Sequence, residues 1–397
     1  MVLCVEEAHM RVTDIAIVGG GLAGSTAAAM LGRAGISTIL IDPHTAYPPD
    51  LRCEKLDSSQ VDILKKTGLA PSVLPATTRD DTVWIARFGR VIDKRPGDQH
   101  GIMYHDLVNT MRAAIPATVE IIHDKAVDIA TGSERQCIRL SNGDEVSARL
   151  IVLANGLNVG LRHNIGLTRT IISACHSITI GFDLKPVARP RFDFGALTYY
   201  PESAADHAAY LTLFPIGSSM RANLMVYRPM EDPWLRECRS DPQKALFDLM
   251  PNLRRITGEV DIVGPVKVRP ADLYVTEGHR QPGIVLVGDA FATSCPAAGT
   301  GTSKVFTDVE RLCNVHIPSW LATNGMGTDK IATFYDDPVK QACDSASREK
   351  AYDLRSISIG TGLTWHAHRW LRFVARLGVG TLRQMREAMS PRVPARQ

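Results

Sequence analysis

The stretch DIAIVGGGLAGSTAAAMLGRAGISTILID, Asp14 to Asp42, reads as strand, tight turn, helix and strand. Ile15, Ile17 and Val18 make a short β-rich run, and Gly19, Gly21 and Gly24 follow as G-x-G-x-x-G. The Ala-rich run from Leu22 to Arg33 predicts a helix that Gly35 stops. ISTILI, just before Asp42, predicts the second strand. Gly19 permits the tight turn, Gly21 lets the backbone approach a pyrophosphate, and Gly24 lets the helix pack closely on the strand. The first-turn N–H groups, at Leu22 and Ala23, lack intrahelical acceptors and are offered to the anion. Asp42 stands 23 residues after Gly19, where an acidic group accepts from a ribose hydroxyl. Strand, glycines, helix and acid together predict dinucleotide binding. They do not distinguish FAD from NAD(P).

A second stretch, GDAFATSCPAAGTGTSKVFTDVERL from Gly288 to Leu312, makes that distinction. The apolar run GIVLV feeds into it, and about a dozen mostly small residues pass before a helix begins. A structural strand-to-helix turn needs far fewer. A backbone of this kind lies close against something flat or charged.

The two stretches together resemble the single-component flavoprotein monooxygenases of the para-hydroxybenzoate hydroxylase type. That family's second motif reads roughly G-D-A-x-x-x-x-x-P-x-x-G-x-G-x-x-x-x-x-x-D, and Gly288, Asp289, Ala290, Pro296, Gly299, Gly301 and Asp308 fall on it. The resemblance implies that Asp289 bonds the ribityl chain of FAD. It places the loop from Pro296 through Gly299 and Thr300 to Gly301 along the isoalloxazine ring, with the next helix aimed at the pyrimidine edge. A helix N-terminus there favours the negative charge of reduced flavin. A third family motif, A-D-G-x-x-S-x-x-R, is matched by ANGLNVGLR, Ala154 to Arg162, with Asn155 in place of the acid and Val159 in place of the hydroxyl residue. The family links this motif to FAD and to the nicotinamide donor, so the departure bears on NAD(P)H use. Arg52 lies where the family has an arginine near the FAD phosphates. Tyr104 replaces another family arginine at the start of a helix, and Val127 falls on the strand whose backbone meets the adenine.

Composition bounds the alternatives. The 397 residues are 45% apolar and 22% charged, ordinary for a globular chain long enough for two domains. A net charge of +3 without a Lys/Arg-rich block gives no nucleic-acid signature. Eight scattered cysteines, from Cys4 to Cys343, contain no C-x-x-C. They suggest neither a zinc site nor a dithiol, and they fit a reducing cytoplasm. The N-terminus lacks a signal-peptide pattern. Ile15 to Gly32 is uncharged and 18 residues long, but five glycines favour the dinucleotide turn over a membrane span.

The expected architecture is α/β: a Rossmann-like FAD-binding domain from 1–75, 100–170 and 275–340, a mixed β-sheet substrate domain from 76–99 and 171–274, and a C-terminal helical region, 341–397. IRLSNGDEVSARLIVLANG predicts a hairpin turned at Asn142-Gly143. The sheet region carries Phe192, Phe194, Tyr199, Tyr200, Tyr210 and Phe214; Tyr199, Tyr210 and Phe214 are the expected substrate contacts. From Leu354 to Arg386 there are six arginines and no acid. Arg369, Arg372, Arg376 and Arg383 share a helical face opposite Trp370, Phe373 and Leu377. The expected arrangement packs the apolar stripe on the protein and leaves the arginines in solvent; a weak contact with an anionic membrane surface and a wall of the substrate entrance are the alternatives.

The function this resemblance implies is hydroxylation of a small, aromatic substrate by molecular oxygen through a C4a-hydroperoxyflavin, with NAD(P)H as electron donor. No catalytic side chain is singled out, since the cofactor carries the reactive group; His105 and His176 are read as structural. Two other readings stay open. HAAYLTLFP, His207 to Pro215, keeps Tyr210, Phe214 and Pro215 of the isoprenoid-reductase pattern P-x-x-Y-x-W-x-F-P, which suggests a reductase or dehydrogenase. Asn155 and Tyr104 suggest an FAD-binding protein without turnover. The halogenase pattern W-x-W-x-I-P is absent.

Overall fold

A computed structural model describes residues 10–389. Cys4 and the N-terminal segment lie outside the described residues, as do the side chains of Arg383 and Arg386. The chain divides into two compact units.

The first unit takes residues from 10–76, 102–174 and 272–349. Its sheet runs in the order Glu120–Ile122, Thr38–Ile41, Met10–Val18, Glu145–Leu153, Gln136–Leu140, Ala126–Ala130, and Ile284–Leu286 also pairs with Glu145–Leu153. Met10–Val18 is parallel to both neighbours, with Ile17 opposite Leu40 on one side and Val152 on the other. Ile15 and Ile17 enter one buried cluster, Ala16 and Val18 another. Both faces are therefore covered, and an unbroken apolar run results. Helix α1 (Leu22–Arg33), helix α2 (Tyr104–Ala113) and helix α3 (Gly301–Arg311) supply the first cluster. Ile15 to Gly32 is thus strand, turn and buried helix, and no helix among the described residues is long and apolar enough to cross a membrane. Gln136–Leu140 and Glu145–Leu153 are antiparallel, and Gly143 makes the turn between them at φ +94°.

The second unit takes residues from 77–101, 175–271 and 350–389. Its sheet runs Val260–Glu277, Thr168–Pro186, Ser219–Val226, Ala208–Ile216, Ala196–Tyr199, Thr82–Arg87, Arg90–Pro96. It is mixed: Ala196–Tyr199 is parallel to Thr82–Arg87 and antiparallel to Ala208–Ile216. Helices Pro233–Ser240, Pro242–Leu249 and Arg254–Thr257 cover one face, where Ile180, Phe182, Leu197, Tyr199, Leu211, Leu213 and Leu224 form the core.

The region after 341 does not stand apart. Helix α4 (Pro338–Ile359) contributes its residues to 349 to the first unit and the rest to the second, and helix α5 (Leu363–Met389) packs on Arg90–Pro96. The packed face of α5 differs in part from the expected one: it carries Arg369, Phe373, Arg376 and Gly380, while Arg372 is exposed as expected and Trp370 stacks on Phe88. Arg369 donates to the carbonyls of Ile357 and Gly360, at 3.2 and 2.8 Å, and Arg376 lies 4.9 Å from the Tyr200 ring. Gly380 comes so close to Ile92 that a Cβ there would sit 2.1 Å from its carbonyl oxygen. Phe373 does face inward, but Trp370, Leu371 and Val374 are 51, 72 and 60% exposed. Carbonyls and aromatic rings satisfy the guanidinium groups, so the arginine side of the helix can be the packed side.

Candidate cofactor-binding site

Glycine builds the mouth of the site. Gly19 adopts φ +105°, and a Cβ there would lie 2.6 Å from the Ala154 carbonyl oxygen. A Cβ on Gly24 would lie 1.8 Å from the Gly19 oxygen, so only glycine lets α1 rest on the turn. At Gly21 the nearest atom is a Tyr47 ring carbon at 3.8 Å. The space there is open to a ligand. Helix α1 starts at Gly21 without a side-chain cap or an acid in its first turn.

These elements border a cavity of about 510 Å³ within the first unit. Gly19, Gly21, Leu22, Ala23, Asp42, Arg52, Val127 and Asp289 line it, together with Asn155 and Gly156. Gly24 supports it from behind. Gly288, Pro296, Gly299, Thr300 and Gly301 do not line this cavity; they lie along the approach to α3.

Asp42 is heavily engaged. Its Oδ2 accepts from Gly20 N at 2.6 Å, and its Oδ1 accepts from His44 N at 2.9 Å and Arg112 Nη2 at 2.7 Å. One lone pair of Oδ2 is left for a ribose hydroxyl. Arg112 also donates to the carbonyls of Gly20 and His44. It ties the acid to the glycine turn, a role the sequence reading missed because the residues lie far apart along the chain.

At the other end, Arg52 bonds Asp289 at 2.6 Å and Asp50 at 2.8 Å, and its guanidinium carbon lies 5.6 Å from the Tyr104 ring centre. Burial holds the Tyr104 phenol above its usual range, so it stays neutral. A cation from the Arg52 loop therefore stands beside the position where the family pattern carries arginine. Gly288, at φ +59°, donates its N–H to Asp308 Oδ2 at 3.0 Å, which fixes the turn that presents Asp289. Arg162 is buried and donates to the Ala290 carbonyl at 2.8 Å and the Asn158 carbonyl at 3.0 Å, joining the ANGLNVGLR loop to that turn. Asn155 donates to the Asn158 carbonyl, while its buried Oδ1 has no donor. An orphan acceptor beside free helix N–H groups and a glycine cradle fits a ligand with hydroxyls and a pyrophosphate, as FAD has.

The candidate substrate residues separate. Tyr199 is fully buried on the helix-covered face, donates its hydroxyl to Glu202 at 3.0 Å and accepts from Gly89 N at 3.1 Å. Tyr210 and Phe214 alternate with Leu211 and Leu213 along their strand and so point to the opposite face. Tyr199 is thus core, and it does not share a wall with the other two; of these Phe214 is itself buried against Val83 and Ala196, and Tyr210 is half-buried. His176 is buried in the second unit against Tyr227 and Tyr352, with its pKa lowered by burial. His105 does not line the cavity.

Fold and site define a flavoprotein built on a Rossmann-type βαβ start. A family model described as FAD binding domain matches residues 12–315, and the chain belongs to that family, as an FAD-dependent oxidoreductase whose relatives include hydroxylases and monooxygenases. The 3-demethoxyubiquinol 3-hydroxylase of Escherichia coli is 24% identical over 330 residues, 76% of this chain and 79% of that one. The digeranylgeranylglycerophospholipid reductase of Thermoplasma acidophilum is 23% identical over 93% of this chain and 99% of its own. Among solved structures, p-nitrophenol 4-monooxygenase from Pseudomonas putida superposes with a TM-score of 0.74 at 15% identity, over 96% of this chain and 97% of that one.

Proposed function

We propose that the protein is an FAD-dependent monooxygenase that hydroxylates a small aromatic substrate, with NAD(P)H as electron donor, in a reducing, cytoplasmic setting. The observation that carries this reading is the long loop before α3. It turns through a left-handed Gly299 at φ +66° and opens on a helix start with no side-chain cap and no acid in its first turn. Such an end favours an anionic ring edge. When bound, FAD supplies the activation of oxygen and its transfer to the substrate.

The chain's own residues bind, orient and exclude water. Gly19 to Ala23 would hold the pyrophosphate, Asp42 a ribose hydroxyl, and Val127 the adenine end. Asp289, held by Arg52, would take the ribityl chain, and Pro296 to Gly301 would back the ring. Tyr210 and Phe214 are the substrate contacts that share a sheet face. Asn155 places a neutral amide where the family has an acid, which weakens repulsion toward a pyrophosphate. Scattered cysteines that form no disulfide, Cys53, Cys137, Cys238, Cys313 and Cys343 among the described residues, fit a reducing compartment.

A reductase is the second reading, favoured by the Thermoplasma relative's near-complete coverage. One experiment separates them. The FAD-loaded protein is reduced without air and given ¹⁸O₂ with a panel of phenols. Label in the product supports the monooxygenase. Reoxidation without label, together with saturation of an isoprenoid double bond in a parallel assay, would replace it with the reductase.

A further inference from the structure

The loop from Gly288 to Thr300 is gripped by a helix to which no role has been given. Along α3, Thr300, Lys304 and Asp308 meet Ser347, Asp344 and Lys340 of α4. Thr300 and Ser347 share a hydroxyl hydrogen bond of 2.6 Å. Lys304 Nζ lies 2.6 Å from Asp344 Oδ1. Lys340 Nζ donates to Asp308 Oδ1 at 2.8 Å and to Asp344 Oδ2 at 3.0 Å. Rising numbers on one helix meet falling numbers on the other, so the helices run antiparallel with a polar seam. Both lysines are buried, with 4% of Lys304 and 1% of Lys340 exposed. Burial opposes the charge on Lys304, but Asp308 and Asp344 outweigh it and its pKa is raised.

Apolar residues would join two helices as well or better, because desolvating four charges about cancels their attraction. What a charged seam adds is register. Here register reaches the loop at three points. At its start, Asp308 accepts from Gly288 N with one oxygen and from Lys340 with the other. In its middle, the Phe291 ring lies 4.4 Å from Lys340 Nζ and 5.1 Å from Lys304 Nζ. At its end, Ser347 holds Thr300. Between these points the chain makes two short 3₁₀ turns, Gly288–Ala290 and Pro296–Ala298, and its Phe291–Thr293 backbone bonds the strand at Asp272–Thr276, which leaves the stretch from Ser294 to Gly299 to be set by the seam.

We propose that Lys304, Lys340, Asp344 and Ser347 are positioning residues: through this seam α4 sets the conformation of the flavin-facing loop, and with it the preference of the site for reduced over oxidised FAD. The proposal rests on the FAD reading above. The seam does not touch the reacting atoms and acts through Gly288, Phe291 and Thr300.

The test replaces one ion pair by apolar residues, Lys304→Met with Asp344→Leu, leaving Lys340 paired with Asp308. Thr300→Val with Ser347→Ala is the milder companion, usable if the first fails to fold. Far-UV circular dichroism and Tm of the FAD-free chains report folding. FAD Kd and the reduction potential of the bound flavin report the loop. The expected result is a near wild-type Tm with at least a tenfold change in the ratio of reduced- to oxidised-FAD affinity, about 30 mV for a two-electron couple. Wild-type Kd and potential in a folded variant would overturn the proposal. Failure of the wild-type chain itself to take up FAD would overturn the cofactor reading, and the seam's role with it.

Discussion

Gly21→Ala and Gly24→Ala are two one-carbon changes, three residues apart, that separate the needs of the fold from the needs of the ligand. At Gly24 the new Cβ would lie 1.8 Å from the Gly19 oxygen, whereas an ordinary contact needs 3.4 Å or more. Helix α1 must retreat by well over an ångström. Overpacking of that kind costs about 1–3 kcal/mol, against a helix-propensity gain of about 1 kcal/mol for alanine. The net is destabilising, and the first-turn N–H groups leave hydrogen-bond range of the pyrophosphate. At Gly21 the Cβ meets only the Tyr47 ring, at an ordinary 3.8 Å. The cost to the FAD-free chain is then below about 1 kcal/mol, from the loss of glycine at a helix N-cap. The same Cβ stands in the space through which the phosphates approach. Losing two hydrogen bonds to a charged group, at about 1.5 kcal/mol each, raises Kd roughly a hundredfold. Thermal unfolding of FAD-free protein and flavin fluorescence titration measure both quantities. The expected pattern is a lowered Tm and weakened binding for Gly24→Ala, and a near wild-type Tm with weakened binding for Gly21→Ala. Wild-type FAD affinity in Gly21→Ala would refute the placement of the pyrophosphate at this turn.

Asp289→Ala removes the proposed ribityl contact and leaves Arg52 with Asp50 alone; flavin content after purification should fall at least severalfold, and unchanged content would sink that assignment. Asp337 accepts from Arg311, His316 and the N–H groups of Val339 and Lys340 at the start of α4. Burial opposes its charge, but these donors hold its pKa down to about 2. A depressed carboxylate stabilises the fold above its unfolded pKa and loses that contribution as pH falls. Asp337→Asn should therefore unfold more easily than wild type at neutral pH, with the difference shrinking between about pH 4 and pH 2; a constant difference across an acid titration would contradict this. Tyr199→Phe, on the helix-covered face, should cost about 1 kcal/mol of stability from its lost hydrogen bonds while leaving product labelling from ¹⁸O₂ unchanged. Phe214→Ala should alter which phenols are accepted, read as relative kcat/KM across the panel.

The two glycine-rich stretches could be read from the chain because their physics is local. Spacing, small size and the neighbouring strand all fall within one window. The seam between α3 and α4 could not: Lys304 and Asp344 are 40 residues apart, and nothing near either marks it as buried or paired. Arg112 escaped for the same reason, 70 residues from Asp42. Aromatic content groups Tyr199 with Tyr210 and Phe214 in the sequence, and only strand parity in the folded sheet separates them. Which face the 233–257 helices cover decides its role. The packed face of α5 is not legible from hydropathy, because Gly380 and the carbonyls of Ile357 and Gly360 draw Arg369 inward beside Phe373 while Arg372 stays exposed.

The first unit's sheet joins strands from both ends of its sequence: Met10–Val18 pairs with Glu145–Leu153, which in turn needs Ile284–Leu286. On the ribosome these strands emerge long apart, on the order of ten to fifty seconds at ordinary rates of synthesis. Until Glu145–Leu153 has emerged, Ile15 to Val18, buried on both faces in the finished protein, has an open edge and no partner beyond Thr38–Ile41. Such an edge is where nascent chains aggregate or recruit chaperones. The cavity that Asp42 opens and Asp289 closes stays unwalled on one side until Asp289 and Val305 have been made, so a nascent chain shorter than that holds its glycine turn without the opposite wall.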